Sequence, residues 1–499
     1  MDALYFAMAK KNLQDSHFTC DVKNLVNRLN DRTSQKDSVL DRAVEFFANS
    51  AEIQNELNSF KQQSTVLNAD LSSSASAKKQ SLQAEIDKLT ANKLEYKQQI
   101  AKEGQSRHHH LREVCYQLFA LCEGESFDET LRKSAQLLGT IQLISPTEGK
   151  DIADVNERHK PIYKAVLCLR LLDELIISNQ LDDPYITKYL ADVPNNKYQY
   201  FNQLNSEAYK IFVEQVKLPI VMAALVQDIG NFHPDAQAIL VGAHGKDDPY
   251  RTLELEDRKA LLQISFREMH GYITEGLAEL AYIGNSRAEK NLFVQHEQEK
   301  MQFLKRLLKS AISPKNGIGN ILKVPQIYTS IILSTKANYN YKVLPKVYHV
   351  LNLNAERGAC AQSVVDALYK ITGMFPQGYG ITYIPKALDN SYMDFYEYAV
   401  VSQLYPSHPE EPICRQATKK LSFISFGQDI HVIKESNLYF VETAKRFSRV
   451  SKKRLLEILE QMVSNFEERK ELDILPRCWL PNDYFSVKNH QKLWNRAVE

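Results

Sequence analysis

Apolar positions recur at steps of three and four along most of the chain, a spacing that predicts a mainly α protein. Val22, Leu25, Val26 and Leu29 mark one amphipathic stripe within residues 1–50. Two longer runs follow. Ile53, Leu57, Phe60, Leu67 and Leu71 alternate steps of three and four with Ser64 at one seam position, and Leu82, Ile86, Leu89, Tyr96 and Ile100 do the same with Lys93 at the weak position. The runs are out of register. The Ser72–Ala77 stretch between them is rich in serine, which competes for backbone hydrogen bonds and is a poor helix interior residue. The pattern therefore predicts two helices, roughly 50–71 and 79–105, folded back as a coiled-coil hairpin, with one long dimeric rod as the alternative. Further stripes (Val114, Leu118, Leu121 and Cys122; Leu167, Leu171, Leu172 and Leu175) extend the helical reading. Near the end, a helix is predicted over 454–469 with Leu455, Leu456, Ile458, Leu459 and Met462 as its apolar content.

Composition narrows the function classes. The chain has 499 residues, 62 basic and 61 acidic, a balance that argues against a nucleic-acid-coating surface. Seventeen Gly and seventeen Pro leave most of the chain free to be helical. The seven Cys are scattered without a C-x-x-C pair, the usage of reduced thiols in a cytoplasm rather than of a disulfide framework or zinc ribbon. The N-terminus has no apolar stretch long enough for a signal peptide. The densest apolar run, Leu218 to Val226, is far short of the ~20 residues a membrane span needs.

Candidate chemistry is sparse. No Gly-rich phosphate loop and no internal repeat are present. His108, His109 and His110 are adjacent, but neighbours on a helix point about 100° apart and do not converge on one metal. A solvated polar turn is the expected state of that tripeptide. Cys360 lies near Arg357 without a base partner, so an inert thiol is expected there. Trp479 and Trp494 are expected as packing anchors.

One stretch carries a resemblance. Met222 to Asn231 (Met-Ala-Ala-Leu-Val-Gln-Asp-Ile-Gly-Asn) resembles the apolar helix ending in His-Asp-Ile-Gly-Lys of HD-domain phosphohydrolases, and Phe232 to Leu240 resembles the turn that follows it. Leu253 to Leu280, Gln295-His296-Glu297 and Ile321 to Val324 match, in order, later helices of the HD-GYP subfamily. Leu333 to Tyr339, Ser363 to Leu368, Gly373 to Tyr383 and the β ending at Ala399 to Val401 and Pro412 to Arg415 complete the likeness, which spans about 222–415. The resemblance implies a helical bundle carrying a two- or three-metal centre that hydrolyses cyclic di-GMP through a metal-bound water.

At the ligand positions the chain departs from that pattern. Gln227 stands for the first His of the His-Asp pair and Asn231 for the Lys; Asp228 remains. No His occurs from Pro161 to Phe232, so the upstream helix lacks its ligand. Tyr272 takes the next ligand position, and His270, two residues away on a helix, faces elsewhere. Gln295 replaces the first His of His-His-Glu, leaving His296 and Glu297. The last Asp falls on Gln326 or Tyr328. An amide or phenol is a poor substitute for imidazole or carboxylate at a transition-metal site. His296 and Glu297 are read as a solvated helical pair, with His233 and His244 as rescue ligands of lower rank.

The fold expected is thus mainly α: an N-terminal helical segment (1–49), a coiled-coil hairpin (50–107), a helical region (108–205), an HD-GYP-like helical domain (206–385), a short β-rich tail (386–440) and a C-terminal helical segment (441–499). The function expected is a catalytically degenerate HD-GYP-like signalling or protein-interaction module without cofactor, with no catalytic or metal residues beyond the vestigial Gln227, Asp228, Tyr272, Gln295, His296 and Glu297. Self-association or a protein partner through the coiled coil is expected. Cyclic di-GMP ranks below a protein because Lys323, Lys336, Lys342 and Lys346 are a thin supply of phosphate-binding cations. The alternative is an active metal-dependent phosphohydrolase with an unusual ligand set.

Overall fold

A computed structural model describes residues 15–31, 36–190, 206–242, 244–447, 449–462, 466–467 and 474–495. Parts of the expected segments 1–49, 108–205 and 441–499, including the end of the helix expected over 454–469, lie outside these residues. The described chain is mainly helical, with a small antiparallel sheet after most of the helices. It groups into two compact units. The first comprises Met1–Val26, Tyr116–Leu225 and Arg306–Glu499; the second comprises Asn27–Cys115 and Val226–Lys305.

The first unit is built around the helix Ile152–Ile177, in which every residue from 162 to 176 is buried. A helix enclosed on all sides must pair its polar side chains internally. The helices Phe127–Ile144, Asn320–Ile332 and Gln362–Thr372 pack on it. Beyond them, strands β1 (Gly380–Tyr383), β2 (Glu397–Val401), β3 (Ile413–Gln416), β6 (Asp429–His431) and β7 (Cys478–Trp479) form one sheet in the order β6-β3-β2-β1-β7. All its pairings are antiparallel. A separate hairpin joins β4 (Thr418–Lys419) to β5 (Ser422–Phe423). The sheet therefore starts before residue 386 and takes its edge strand β7 from the segment expected to be helical. A two-residue strand is too short to show any period, and only its pairing with Gly380 and Ile381 defines it. Trp479 and Trp494 are both buried in the core that joins sheet and C-terminal helices.

In the second unit the Ser38 hydroxyl accepts from the Asp41 N–H at 3.2 Å while the Asp41 carboxylate accepts from the Ser38 N–H at 3.1 Å. This reciprocal cap starts the helix Val39–Ser73. Among the described residues of 1–50, the helix His17–Leu29 ends before this cap. The chain leaves the helical conformation at Ser74, φ −87° and ψ 149°, and the helix Ser76–Cys122 follows. The Phe60 and Tyr96 rings meet at 5.9 Å, which makes the two helices an antiparallel pair. Along it Ile53, Leu57, Phe60, Ser64, Leu67 and Leu71, with Leu82, Ile86, Leu89, Lys93, Tyr96 and Ile100, are half-buried.

The second helix of the pair also contains His108, His109 and His110. They are not a solvated turn: they lie within the helix, where His108 and His110, about 200° apart, are buried on different faces and His109 is exposed.

In the same unit the 3-10 turn Ile229–Phe232 packs on the helix Leu255–Gly271. A Cβ on Gly230 would lie 1.9 Å from the Ser265 carbonyl oxygen, so only glycine admits this approach. Gly230→Ala is expected to destabilise this unit by about 1–3 kcal/mol or more, because the obstacle is backbone. Urea unfolding followed by far-UV circular dichroism measures it, and an unchanged transition would refute the close approach.

Candidate functional site

The positions singled out in the sequence are distributed as follows. The apolar helix Leu218–Val226 ends just before Gln227 and Asp228, both half-buried, and Asp228 leads into the 3-10 turn at φ −105°, ψ 10°. Tyr272 begins a π-helical turn, Tyr272–Gly276, and is fully buried. Its ring meets those of Phe46 at 5.7 Å and Phe47 at 5.9 Å. Gly276 clears space for them: a Cβ there would lie 2.9 Å from the Tyr272 ring and 3.3 Å from that of Phe46. Burial pushes the Tyr272 phenol up, so it stays neutral. His270 is exposed. On the helix Arg287–Ser310, Gln295 is exposed, His296 half-buried and Glu297 buried. Gln326 is half-buried and Tyr328 buried in the helix Asn320–Ile332, which belongs to the first unit.

Glu297 is not part of a solvated pair. Its carboxylate accepts from the ammonium of Lys300, which is itself fully buried, and Arg112 lies at 3.9 Å. His108 belongs to this neighbourhood. Its Nδ1 lies 2.9 Å from the Ala278 carbonyl, which fixes it as the donor and leaves Nε2 as the acceptor. Burial lowers the His108 pKa, with Glu297 opposing that shift and Arg112 and Lys300 adding to it. The buried carboxylate is thus matched by two side-chain cations, which chemically excludes the solvated state that an isolated polar pair would have. Of the two further histidines, His233 sits 3.7 Å from both Asp235 and Glu268 and accepts from the Asp235 N–H, while His244 is exposed. Among the described residues, no group of three or more His, Cys, Asp or Glu is gathered as metal ligands.

The most enclosed polar cluster lies elsewhere, in the first unit. Lys217, fully buried, reaches Asp173 at 3.1 Å and Glu123 at 3.3 Å and donates to the Tyr209 hydroxyl at 3.0 Å. Arg170 pairs with Asp173 at 2.8 Å and with Glu123. Two cations face two carboxylates with no net charge. The carboxylates outweigh burial and hold Lys217 and Arg170 protonated well above their ordinary range, whereas burial pushes the Tyr209 phenol up to about 12. Sequence reading passed over these residues. The signal was Arg170 and Asp173, three apart, inside the largely apolar stretch 165–177, with Lys217 at the edge of the run 218–226.

A third feature is a cavity of about 560 Å³ in the first unit, lined with aromatic rings. Trp479 stacks on Tyr398 at 4.6 Å with 4° between planes, and its indole N–H donates to the Ala399 carbonyl at 2.9 Å. Tyr484 stacks on His490 at 4.1 Å, and its hydroxyl donates to the Ile424 carbonyl at 2.7 Å. Phe423 stands between the stacks, 6.1 Å from Trp479 and 5.6 Å from Tyr484, and is 43% exposed.

Nucleophilic cysteine chemistry finds no support. All seven cysteines are free, six of them buried, and burial raises the Cys360 thiol, away from the reactive thiolate. No helix among the described residues is long and apolar enough to cross a membrane. Comparison with protein-family models, with curated proteins and with solved structures finds no match.

Proposed function

We propose that this chain is a catalytically silent, HD-GYP-like helical protein that works as a signalling or protein-interaction module. The observation that carries this reading is the state of Glu297. In a working centre the carboxylate at that position would face metal ions. Here two side-chain cations, Lys300 and Arg112, occupy its surroundings, and a metal there would meet repulsion from both. Tyr272, at another ligand position, is committed to packing against Phe46 and Phe47. Replacement of His or Asp by Gln227, Gln295 and Gln326 or Tyr328 adds to the same conclusion. The hairpin 39–122 supports the interaction role: its seam stays half-buried and Val66 and Leu94 are 59% and 57% exposed, surface that a second copy or a partner helix would cover.

The test is incubation of the purified chain with cyclic di-GMP and Fe²⁺ or Mn²⁺ under anaerobic conditions, with product chromatography and parallel calorimetry. No turnover is expected. Hydrolysis that disappears in Asp228→Ala and in His296→Ala would overturn the reading and establish a phosphohydrolase with an unusual ligand set. Binding without turnover would make the module a nucleotide receptor, whereas the absence of both fits a protein partner.

A further inference from the structure

A small pocket in the first unit is lined by the start of the helix Phe127–Ile144 and by the sheet, and by none of the positions considered in the proposed function. Its volume is about 150 Å³. A cavity of ~150 Å³ accepts benzene, so a ligand here has about six heavy atoms.

The wall carries a buried guanidinium. Arg415, on β3, is 6% exposed. Its Nε donates to the Asp429 carboxylate at 2.8 Å and its Nη1 to the Asn495 carbonyl. That leaves Nη2, with two hydrogens, for a ligand. The other oxygen of Asp429 accepts from the Gln403 amide at 3.2 Å, so the carboxylate is engaged on both sides and braces the guanidinium. Trp494 also lines the pocket. Its ring is part of the core that joins sheet and C-terminal helices, and its indole N–H is buried with no hydrogen-bond partner. A buried donor without an acceptor is costly, and a ligand oxygen would remove that cost.

Charge selects the class of ligand. Two cations, Arg132 and Arg415, and two carboxylates, Asp128 and Asp429, line the pocket. The wall thus has no net charge, and a phosphate would meet both carboxylates with a double negative charge of its own. Arg415 and Asp429 compensate each other. Asp128 and Arg132 are both exposed and stand four apart, on one face of the helix. They offer a ligand one charge of each sign. A molecule carrying a carboxylate and an ammonium close together answers both.

We propose that this pocket binds a small zwitterion of the α-amino acid class. Its carboxylate accepts from Arg415 Nη2, from Arg132 and from the Trp494 N–H, the guanidinium groups supplying the planar donors that a carboxylate matches. Its ammonium donates to Asp128. The volume limits the ligand's side chain to about a methyl group.

Selective ¹⁵N labelling of the indoles in the full chain tests this. The chain has two tryptophans, Trp479 and Trp494, and Trp479→Phe assigns the two signals. L-alanine, which matches benzene in heavy atoms, is expected to move the Trp494 signal saturably. The Trp479 signal should stay in place, because its N–H donates to the Ala399 carbonyl. Acetate, which lacks the ammonium, and inorganic phosphate are expected to bind at least about tenfold more weakly than L-alanine. Asp128 and Arg132 are exposed, so Asp128→Asn and Arg132→Gln keep the fold, which circular dichroism verifies. Each should weaken L-alanine binding about tenfold, and Asp128→Asn should leave acetate binding no weaker. A Trp494 signal that does not respond to L-alanine, or a response indifferent to both substitutions, overturns the proposal. Binding of acetate or phosphate as tight as that of L-alanine also overturns it, because the pocket would then be a plain anion site.

Discussion

Lys217→Met is expected to destabilise the first unit by about 3–5 kcal/mol. The substitution keeps the side-chain length but leaves Asp173 and Glu123 with one cation, Arg170, where the structure has two. Removing one member of a buried ion set strands charge in a medium that solvates it poorly, and that cost exceeds the net worth of the original pair. The Tyr209 hydroxyl also loses its donor. Both tryptophans of the chain, Trp479 and Trp494, belong to this unit, so denaturant unfolding followed by tryptophan emission reports on it alone. A loss below about 1 kcal/mol would mean that water reaches the cluster and that the ions are not enclosed. Joint replacement of Lys217, Arg170, Asp173 and Glu123 by apolar residues of similar volume should cost less than Lys217→Met alone, since no charge then remains to be compensated.

Acid should weaken the same unit well before its carboxylates titrate. His159 is buried, its Nδ1 2.8 Å from the Ser145 hydroxyl, and burial, with Arg158 and Lys23 adding to it, pulls its pKa down to about 3. The folded chain therefore keeps the imidazole neutral over a range in which the unfolded chain, with an ordinary value of ~6.5, binds a proton. A depressed histidine gives stability that is full above the unfolded value and is lost as pH falls from about 6.5 towards 3, at up to ~1.4 kcal/mol per pH unit. The total is several kcal/mol. His159→Gln should flatten the acid limb of a stability–pH curve, whatever it does to stability at neutral pH. An acid limb of unchanged slope in that variant would show that His159 is protonated in the folded state. In the second unit His108 and His110, both lowered chiefly by burial, act with the same sign.

Much of the hairpin could be read from periodicity alone. Every position that the steps of three and four selected in the two runs is half-buried, with Ser64 and Lys93 included at the weak places. The break falls at Ser74, within the serine-rich stretch. A two-helix seam needs nothing beyond local spacing, because each residue meets a neighbour fixed by helix geometry. The strand at Glu397–Val401 was expected only over Ala399 to Val401, and only as part of the resemblance rather than from local spacing.

The candidate site was legible only in part. That His270 would point away from Tyr272 follows from the helix angle, and His270 is exposed where Tyr272 is buried. That Glu297 is buried did not follow, because its partner Arg112 is 185 positions distant and His108 is 189. No window of sequence contains that encounter. The same limit hid Lys217, whose carboxylates Asp173 and Glu123 come from elements far back along the chain.

By itself the sequence determined what depends on neighbours within a few turns: the helical class and the paired helices of the hairpin. Tertiary structure decided which charged residues are enclosed, how strand Cys478–Trp479 completes a sheet begun almost one hundred residues earlier, and how two compact units are each assembled from separated stretches of chain. The physical reason is one of range. Backbone periodicity is written in local composition, whereas burial and ion pairing depend on which distant surfaces meet, and a charged side chain looks the same in sequence whether water or a buried partner compensates it.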